Sequence, residues 1–289
     1  MVAKGLRSLS IFQIFNTIVL TGLAIVVLYP ILYITAVSLS DTASIVQGKV
    51  TLLPRGLNFD AYKEVLMDKR IPRAYLNTIF YTALGTSINL LMTAVAAYPL
   101  SRKTFFGRNF FLMAIIVTMF MNPGIIPNYV IVQNLGLLDS VWALVLPNAI
   151  WTFELLILKS FYENMSASLR EAAVVDGASE YRILSQIVIP LSKPALASIG
   201  LFYFMGHWNS FFIPMIYLND ATLYPLQVVL RDMLIFDEGN KASLVDAAAL
   251  APQAMKNATI VLSMIPVLLV YPFAQKYFAK GVMLGSEKG

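Results

Sequence analysis

Residues 168–194 read SLREAAVVDGASEYRILSQIVIPLSKP, a water-compatible stretch with long apolar runs on both sides. Ser168, with Glu171 three residues later, has the spacing of a capping box, in which two side chains satisfy orphan backbone N–H groups at a helix start. Leu169, Ala172, Ala173 and Val174 continue a short helix of small residues, and Gly177 supplies the left-handed residue that ends one. Ser179 is placed to cap a second helix. There Tyr181, Leu184, Ile187 and Val188 recur at helical spacing among Glu180, Arg182 and Gln186. Pro190 and Pro194 are expected to close it, because proline removes a ladder donor. The stretch is a helix–turn–helix between two hydrophobic segments.

Hydrophobic residues make up 58% of the chain and charged ones 13%, against roughly 45–50% and 25% in soluble domains. With a mean hydropathy of +0.71, this composition implies an all-α integral membrane protein, since runs of that apolarity are bilayer-spanning helices. The chain has no cysteine, which excludes disulfides and thiolate metal sites, and His207 is its single histidine, which excludes a multi-His one. A formal charge of +5 is what cytoplasmic loops of a membrane protein accumulate, and is no sign of nucleic-acid binding. The first apolar run is too long for a cleavable signal peptide and lacks a small-residue cleavage site.

Hydrophobicity places six spans at about 11–37, 75–100, 105–122, 141–162, 195–218 and 258–278, all within one domain. Pro30 is positioned to kink the first. The third is short, and MNPGIIPNYVIVQNLGLLDS after it, with two prolines and two glycines, is expected to return to the interface as a short helix. Lys4, Arg7, Arg102, Lys103 and Arg108 put both termini, the second linker and the loop 166–194 on the cytoplasmic side. Residues 38–74 and 219–256 then lie outside, and 279–289 form a cytoplasmic tail.

Three features inside the spans carry polar chemistry. Thr78, Thr82, Thr86, Asn89 and Thr93 fall on one helical face, either as a wet wall of a translocation path or as hydrogen-bonding contacts between helices. Glu154 is the one acid placed within a span; a charge at that depth costs at least about 2.5–3.5 kcal/mol and marks a functional or paired site. It either lines a path and accepts hydroxyls, pairs with a neighbouring subunit, or sits shallower if the helix starts at Pro147. His207, Trp208 and Asn209 form the third: an aromatic ring and an amide suit sugar recognition, and they suit packing equally.

No G-x-x-x-x-G-K-[ST] phosphate loop and no H-E-x-x-H occurs, so no catalytic constellation is evident. Function then has to come from conformational coupling to a partner. An ion-driven secondary transporter would be expected to carry an inverted repeat and several intramembrane acids; no repeat is visible and there is one acid. A scaffold subunit without a pathway would make Glu154 and the threonine stripe purely structural.

Glu171, Ala172, Ala173, Asp176, Gly177 and Ala178, followed by Ile187, Ile189 and Pro190, resemble the EAA loop of ABC-importer permeases, E-A-A-x-x-D-G-A then I-x-x-P. Leu184 stands where many members carry Phe, and Ile189 where Leu is common; both keep the position apolar. The resemblance extends over nearly the whole chain. Asn77-Thr78-Ile79, Ile126-Pro127, Leu135-Gly136-Leu137, Trp208-Asn209 and the tail KGVMLGSEKG also look like the carbohydrate, maltose-importer class. It implies a type I importer permease of the bacterial plasma (inner) membrane. It further implies a second homologous permease, a dimer of cytoplasmic ATPase subunits carrying ATP and Mg, an extracytoplasmic solute-binding protein, membrane lipid, and no cofactor on this chain.

By the same resemblance Glu171, Ala172, Ala173, Asp176, Gly177 and Ala178 couple to the ATPase, small residues entering a cleft and carboxylates meeting basic partners. Gly281, Gly285 and Lys288 are tail contacts to the ATPase, or else a frayed end. Glu154, His207, Trp208, Asn209, Thr82 and Asn89 are the candidates for the substrate path. The outside loop and tail look most like permeases for oligosaccharides, including uronate-rich ones such as alginate fragments.

Overall fold

The computed structural model describes residues 11–121, 123–240 and 251–283, and among them every regular element is helical. The described residues within 1–69 and 232–264 form one unit, and those within 70–231 and 265–289 another.

In the first unit α1 (Ile11–Ser38) keeps its apolar side chains exposed along most of its length, burying only Ala36, Val37 and Ser38 at its end. A 28-residue helix of this kind is about 42 Å long, enough to cross a bilayer. Pro30 lies inside it. The segment 38–69 is ordered by local hydrogen bonds. Asp41 caps α2 (Thr42–Val46) by accepting from the Ser44 N–H at 2.7 Å, Ser38 Oγ meets Tyr62 Oη at 2.8 Å, and α3 is Asp60–Met67.

The second unit is built on α4 (Arg70–Leu100), which begins five residues before the predicted span because Arg70 and Arg73 are good helix formers outside any apolar run. Then come α5 (Arg108–Phe120), α6 (Ile125–Asn134), α7 (Val141–Val145), a 3₁₀ turn Leu146–Asn148, and α8 (Thr152–Glu163). The short helix expected after the third span is α6, whose Val132 is buried against Tyr81, Ala143 and Tyr217. The fourth span is interrupted: 141–148 and 152–163 meet at 50°. Pro147 sits in the 3₁₀ turn, where its missing N–H does no harm.

The loop 166–194 contains α9 (Ala167–Val175), α10 (Glu180–Ile183), a π-helical stretch Leu184–Val188 and α11 (Ile189–Leu191). The capping box does not form. The helix starts at Ala167, so Ser168 lies in its first turn; Ser168 Oγ bonds Ser166 Oγ at 2.7 Å and Glu171 points to solvent. Ser179 does cap, accepting from the Arg182 N–H. Pro190 does not end the second helix; the ladder widens to π geometry just before it and continues to Leu191. The break falls at Ser192, where 180–191 meets α12 (Lys193–Trp208) at 79°.

The fifth predicted span is likewise divided, with α12 ending at Trp208 and α13 (Phe212–Tyr217) resuming with Pro214 in its first turn. A 3₁₀ turn (Ala221–Leu223) and α14 (Leu226–Asn240) follow. Finally α15 (Ala251–Met283) is longer than expected at both ends and contains Pro266 and Pro272. By length and composition α1, α4 and part of α15 can each cross a membrane, and three bent helix pairs bring the total to at most six among the described residues.

Candidate functional site

The motif hairpin divides its residues between two faces. Glu171, Ala172, Asp176 and Gly177 are exposed. Ala173 is buried with Tyr98, Leu158, Tyr162, Ile183 and Val188, and Ala178 packs against that cluster. Ala173 and Ala178 were expected on the partner-facing surface with their neighbours; they turn inward because α9 needs an apolar contact of its own. Gly177 has φ +76°, the left-handed conformation that an L side chain reaches at a cost of about 1–2 kcal/mol. It reverses the chain between α9 and α10.

Four side chains tie this hairpin to the end of α4. Tyr98 Oη donates to Glu180 Oε2, and Arg170 Nη2 donates to Glu180 Oε1 at 2.5 Å. The Arg102 guanidinium lies 4.5 Å from the Tyr98 ring centroid. The phenol's hydrogen bond, followed by Arg170 and Arg102, holds the Glu180 carboxyl below its ordinary value, and Glu180 in turn raises Arg170. These residues edge a groove of about 440 Å³ whose floor includes Val95, Pro99 and Leu184. Beside it Arg108 and Lys159 both pair with Glu163. Glu180 went unrecognised in the sequence, where it appears only as a polar residue at a helix start; its partner on α4 is 82 residues away.

Further along α4 the polar stripe becomes a seam. Thr82, Asn89 and Thr93 are at most 2% exposed. Thr93 Oγ1 meets Tyr203 Oη at 2.7 Å, Asn89 Nδ2 donates to the Asn148 carbonyl at 2.7 Å, and His207 Nε2 contacts Asn89 Oδ1 at 2.6 Å. Gly85 lets His207 in: a Cβ there would come within 2.6 Å of the ring. Trp208 is buried between Tyr75 and Phe204. Thr93 and Asn89 of the stripe thus make contacts between helices, whereas Thr82 and Thr86 keep buried hydroxyls without a partner among the described residues. Asn209 is exposed, its amide donating to the Met205 carbonyl at 2.9 Å.

Glu154 is placed differently. It lies in the first turn of α8, 7% exposed, at the helix interruption. It lines a shallow cavity of about 510 Å³, widely open to the surface, with Asn148, Trp151, Thr152 and Met119. Interrupted backbone is tolerated at membrane depth only inside protein or beside a water-filled space. Trp151 is fixed edge-on to Tyr203 at 5.0 Å. Of the proposed tail contacts, Gly281 falls in the last turn of α15, while Gly285 and Lys288 lie outside the described residues.

The other end of α4 is held by backbone carbonyls. Asn77 Nδ2 donates to Thr222 O at 2.9 Å and to Tyr224 O at 3.1 Å, Tyr81 Oη to Leu223 O at 2.9 Å, and the Leu226 N–H to Thr78 Oγ1 at 2.8 Å. Asp139, itself at φ +55°, accepts from the Asn219 N–H, the Asn219 amide and the Asp220 N–H, which lower its pKa.

No protein-family model matches the chain. It is 40% identical over 269 residues to the polygalacturonan/rhamnogalacturonan transport system permease protein YtcP of Bacillus subtilis (strain 168), covering 92% of this chain and 94% of that one. A solved structure of a bacterial ABC transporter involved in the import of the acidic polysaccharide alginate superposes with TM-score 0.85 at 39% identity, covering 94% of this chain and 98% of that one. A second, of bacterial alginate ABC transporter in complex with alginate pentasaccharide-bound periplasmic protein, shares the fold at TM-score 0.59 and 13% identity, covering 91% and 92%. The chain belongs to the permeases of carbohydrate ABC transporters. It is an integral membrane, non-catalytic subunit, and the ATPase is a partner subunit.

Proposed function

We propose that this chain is one of two membrane-spanning subunits of an ATP-driven oligosaccharide importer in the bacterial plasma membrane. In this reading α1, α4, α5, α7 with α8, α12 with α13, and α15 make six crossings. Both termini and residues 166–194 face the cytoplasm. A second permease completes the path, two ATPase copies bind ATP and Mg, and an extracytoplasmic solute-binding protein delivers the sugar. The reading rests chiefly on α9, which buries Ala173 against the transmembrane helices and leaves Glu171, Ala172 and Asp176 free to enter a partner's cleft. Closure of the ATPase dimer then moves the hairpin and, with it, the balance between inward- and outward-facing states.

The cavity at Glu154 is the preferred wall of the path, with Trp151 beside it as an aromatic surface and Asn148 and Thr152 as hydroxyl partners. Acidic oligosaccharides such as alginate or galacturonate fragments are the expected cargo, supported by what the two relatives above carry. The chain has no native cysteine, so an Ala172→Cys variant in the assembled complex should crosslink to the ATPase subunit. Uptake by reconstituted vesicles should favour alginate or galacturonate oligosaccharides over neutral ones. Absence of the crosslink would remove the coupling role, and preference for neutral sugars would remove the cargo assignment.

A further inference from the structure

We propose that Glu180 is a positioning residue that passes movement of α9 into α4, its two carboxylate oxygens forming the joint between them. This rests on the coupling role proposed above for residues 166–194. One oxygen takes the Tyr98 hydroxyl from the last turn of α4, the other the Arg170 guanidinium from α9. Tyr98 is not free to follow Glu180 independently. Tyr98 is 7% exposed, set edge-on to Tyr162 at 6.5 Å and covered by Arg102. Glu180 itself opens α10 immediately after the Ser179 cap and three residues after the Gly177 reversal. Rotation of α9 about Gly177 therefore alters the Arg170–Glu180 contact first.

The apolar cluster beneath, with Ala173, Ile183 and Val188, holds the same elements together but tolerates sliding, because hydrophobic contact has no preferred direction. Charge-assisted hydrogen bonds do have one. From Tyr98 the rest of α4 offers a continuous chain of fixed contacts: Thr93 to Tyr203, then Asn89 to His207 and to the Asn148 carbonyl at the helix interruption. A pull on Tyr98 thus reaches the backbone that carries the Glu154 cavity.

The absence of native cysteine makes a single Asn148→Cys a clean reporter in the assembled transporter. Its thiol-labelling rate should change when ATP is added. Tyr98→Phe keeps the ring and its packing; Glu180→Ala removes the carboxylate. Each should shrink the ATP-dependent change by about 2- to 30-fold, the range of coupling effects of 0.5–2 kcal/mol. The double variant should be no worse than the more severe single one, since both break the same joint. The joint is ruled out if the reporter does not respond to ATP, if either single variant keeps the parental response, if the two effects multiply, or if Tyr98→Phe prevents assembly. Should Ala172→Cys also fail to crosslink to the ATPase, the coupling role itself is lost; should it crosslink while the variants respond normally, only the joint is lost.

Discussion

The two ends of α4 are held by different chemistry. At its start, Asn77, Thr78 and Tyr81 bond the backbone of residues 222–226, groups that cannot rotate away from their helix or turn. At its end, Tyr98 and Arg102 meet Glu180 and Arg170, long side chains with rotamer freedom and partial exposure. The positions Asn77 and Tyr98 are 21 residues apart, about 32 Å along a helix at 1.5 Å per residue. The same rigid rod is thus clamped at one end and strapped at the other. A clamp stabilises; a strap lets one arrangement be exchanged for another.

The comparison breaks if disturbing the clamp uncouples transport, or if disturbing the strap costs as much stability as the clamp does. Asn77→Leu removes two hydrogen bonds, leaving Thr222 O to Arg73 alone and Tyr224 O without its side-chain donor. At about 0.5–1.5 kcal/mol each, their loss should lower stability by about 1–3 kcal/mol, read as a lower melting midpoint in detergent, with sugar moved per ATP unchanged. Gly177→Val forces a side chain into the left-handed region at about 1–2 kcal/mol. Here the expected loss is in sugar moved per ATP, with subunit assembly retained. Thr93→Val removes the contact with Tyr203 and should cost about 0.6–2 kcal/mol, the range for polar contacts between membrane helices. Substrate preference should not change; a changed preference would return the seam to the path.

The smallest effect concerns pH. Glu180 has its pKa lowered by Tyr98, Arg170 and Arg102, which face it from α4, α9 and the linker just after α4. A carboxyl depressed on folding stabilises above its ordinary value of 4.5 and loses that contribution as pH falls through the folded value. The melting difference between parent and Glu180→Gln should therefore be present at neutral pH and disappear in acid below 4.5. Its side chain is 56% exposed, so the effect stays under about 1 kcal/mol.

What could be read along the chain was local. Gly177 as a reversal and Ser179 as a cap depend on residues within a few positions, and both are found as expected. The capping box failed by the same token: moving the helix start to Ala167 is enough to take Ser168 out of register. The threonine stripe was visible as a face, but a face does not say what lies opposite. Only the tertiary structure shows that Thr93 meets Tyr203 and that Asn89 meets His207 and the Asn148 carbonyl. Asn77 stood out only within a resemblance, because its two acceptors are 145 and 147 residues further on.

The amino-acid sequence alone determined the membrane class, the order of the apolar helices and the position of the helical hairpin between them. Hydrophobic run length and short-range turn chemistry do not depend on distant partners. Only the tertiary structure decided that Ala173 faces inward, that Glu154 borders a cavity at an interrupted helix, and that one carboxylate at position 180 meets two elements. Those outcomes are set by which surfaces pack together, and side chains some 80 residues apart carry no periodic signature of meeting.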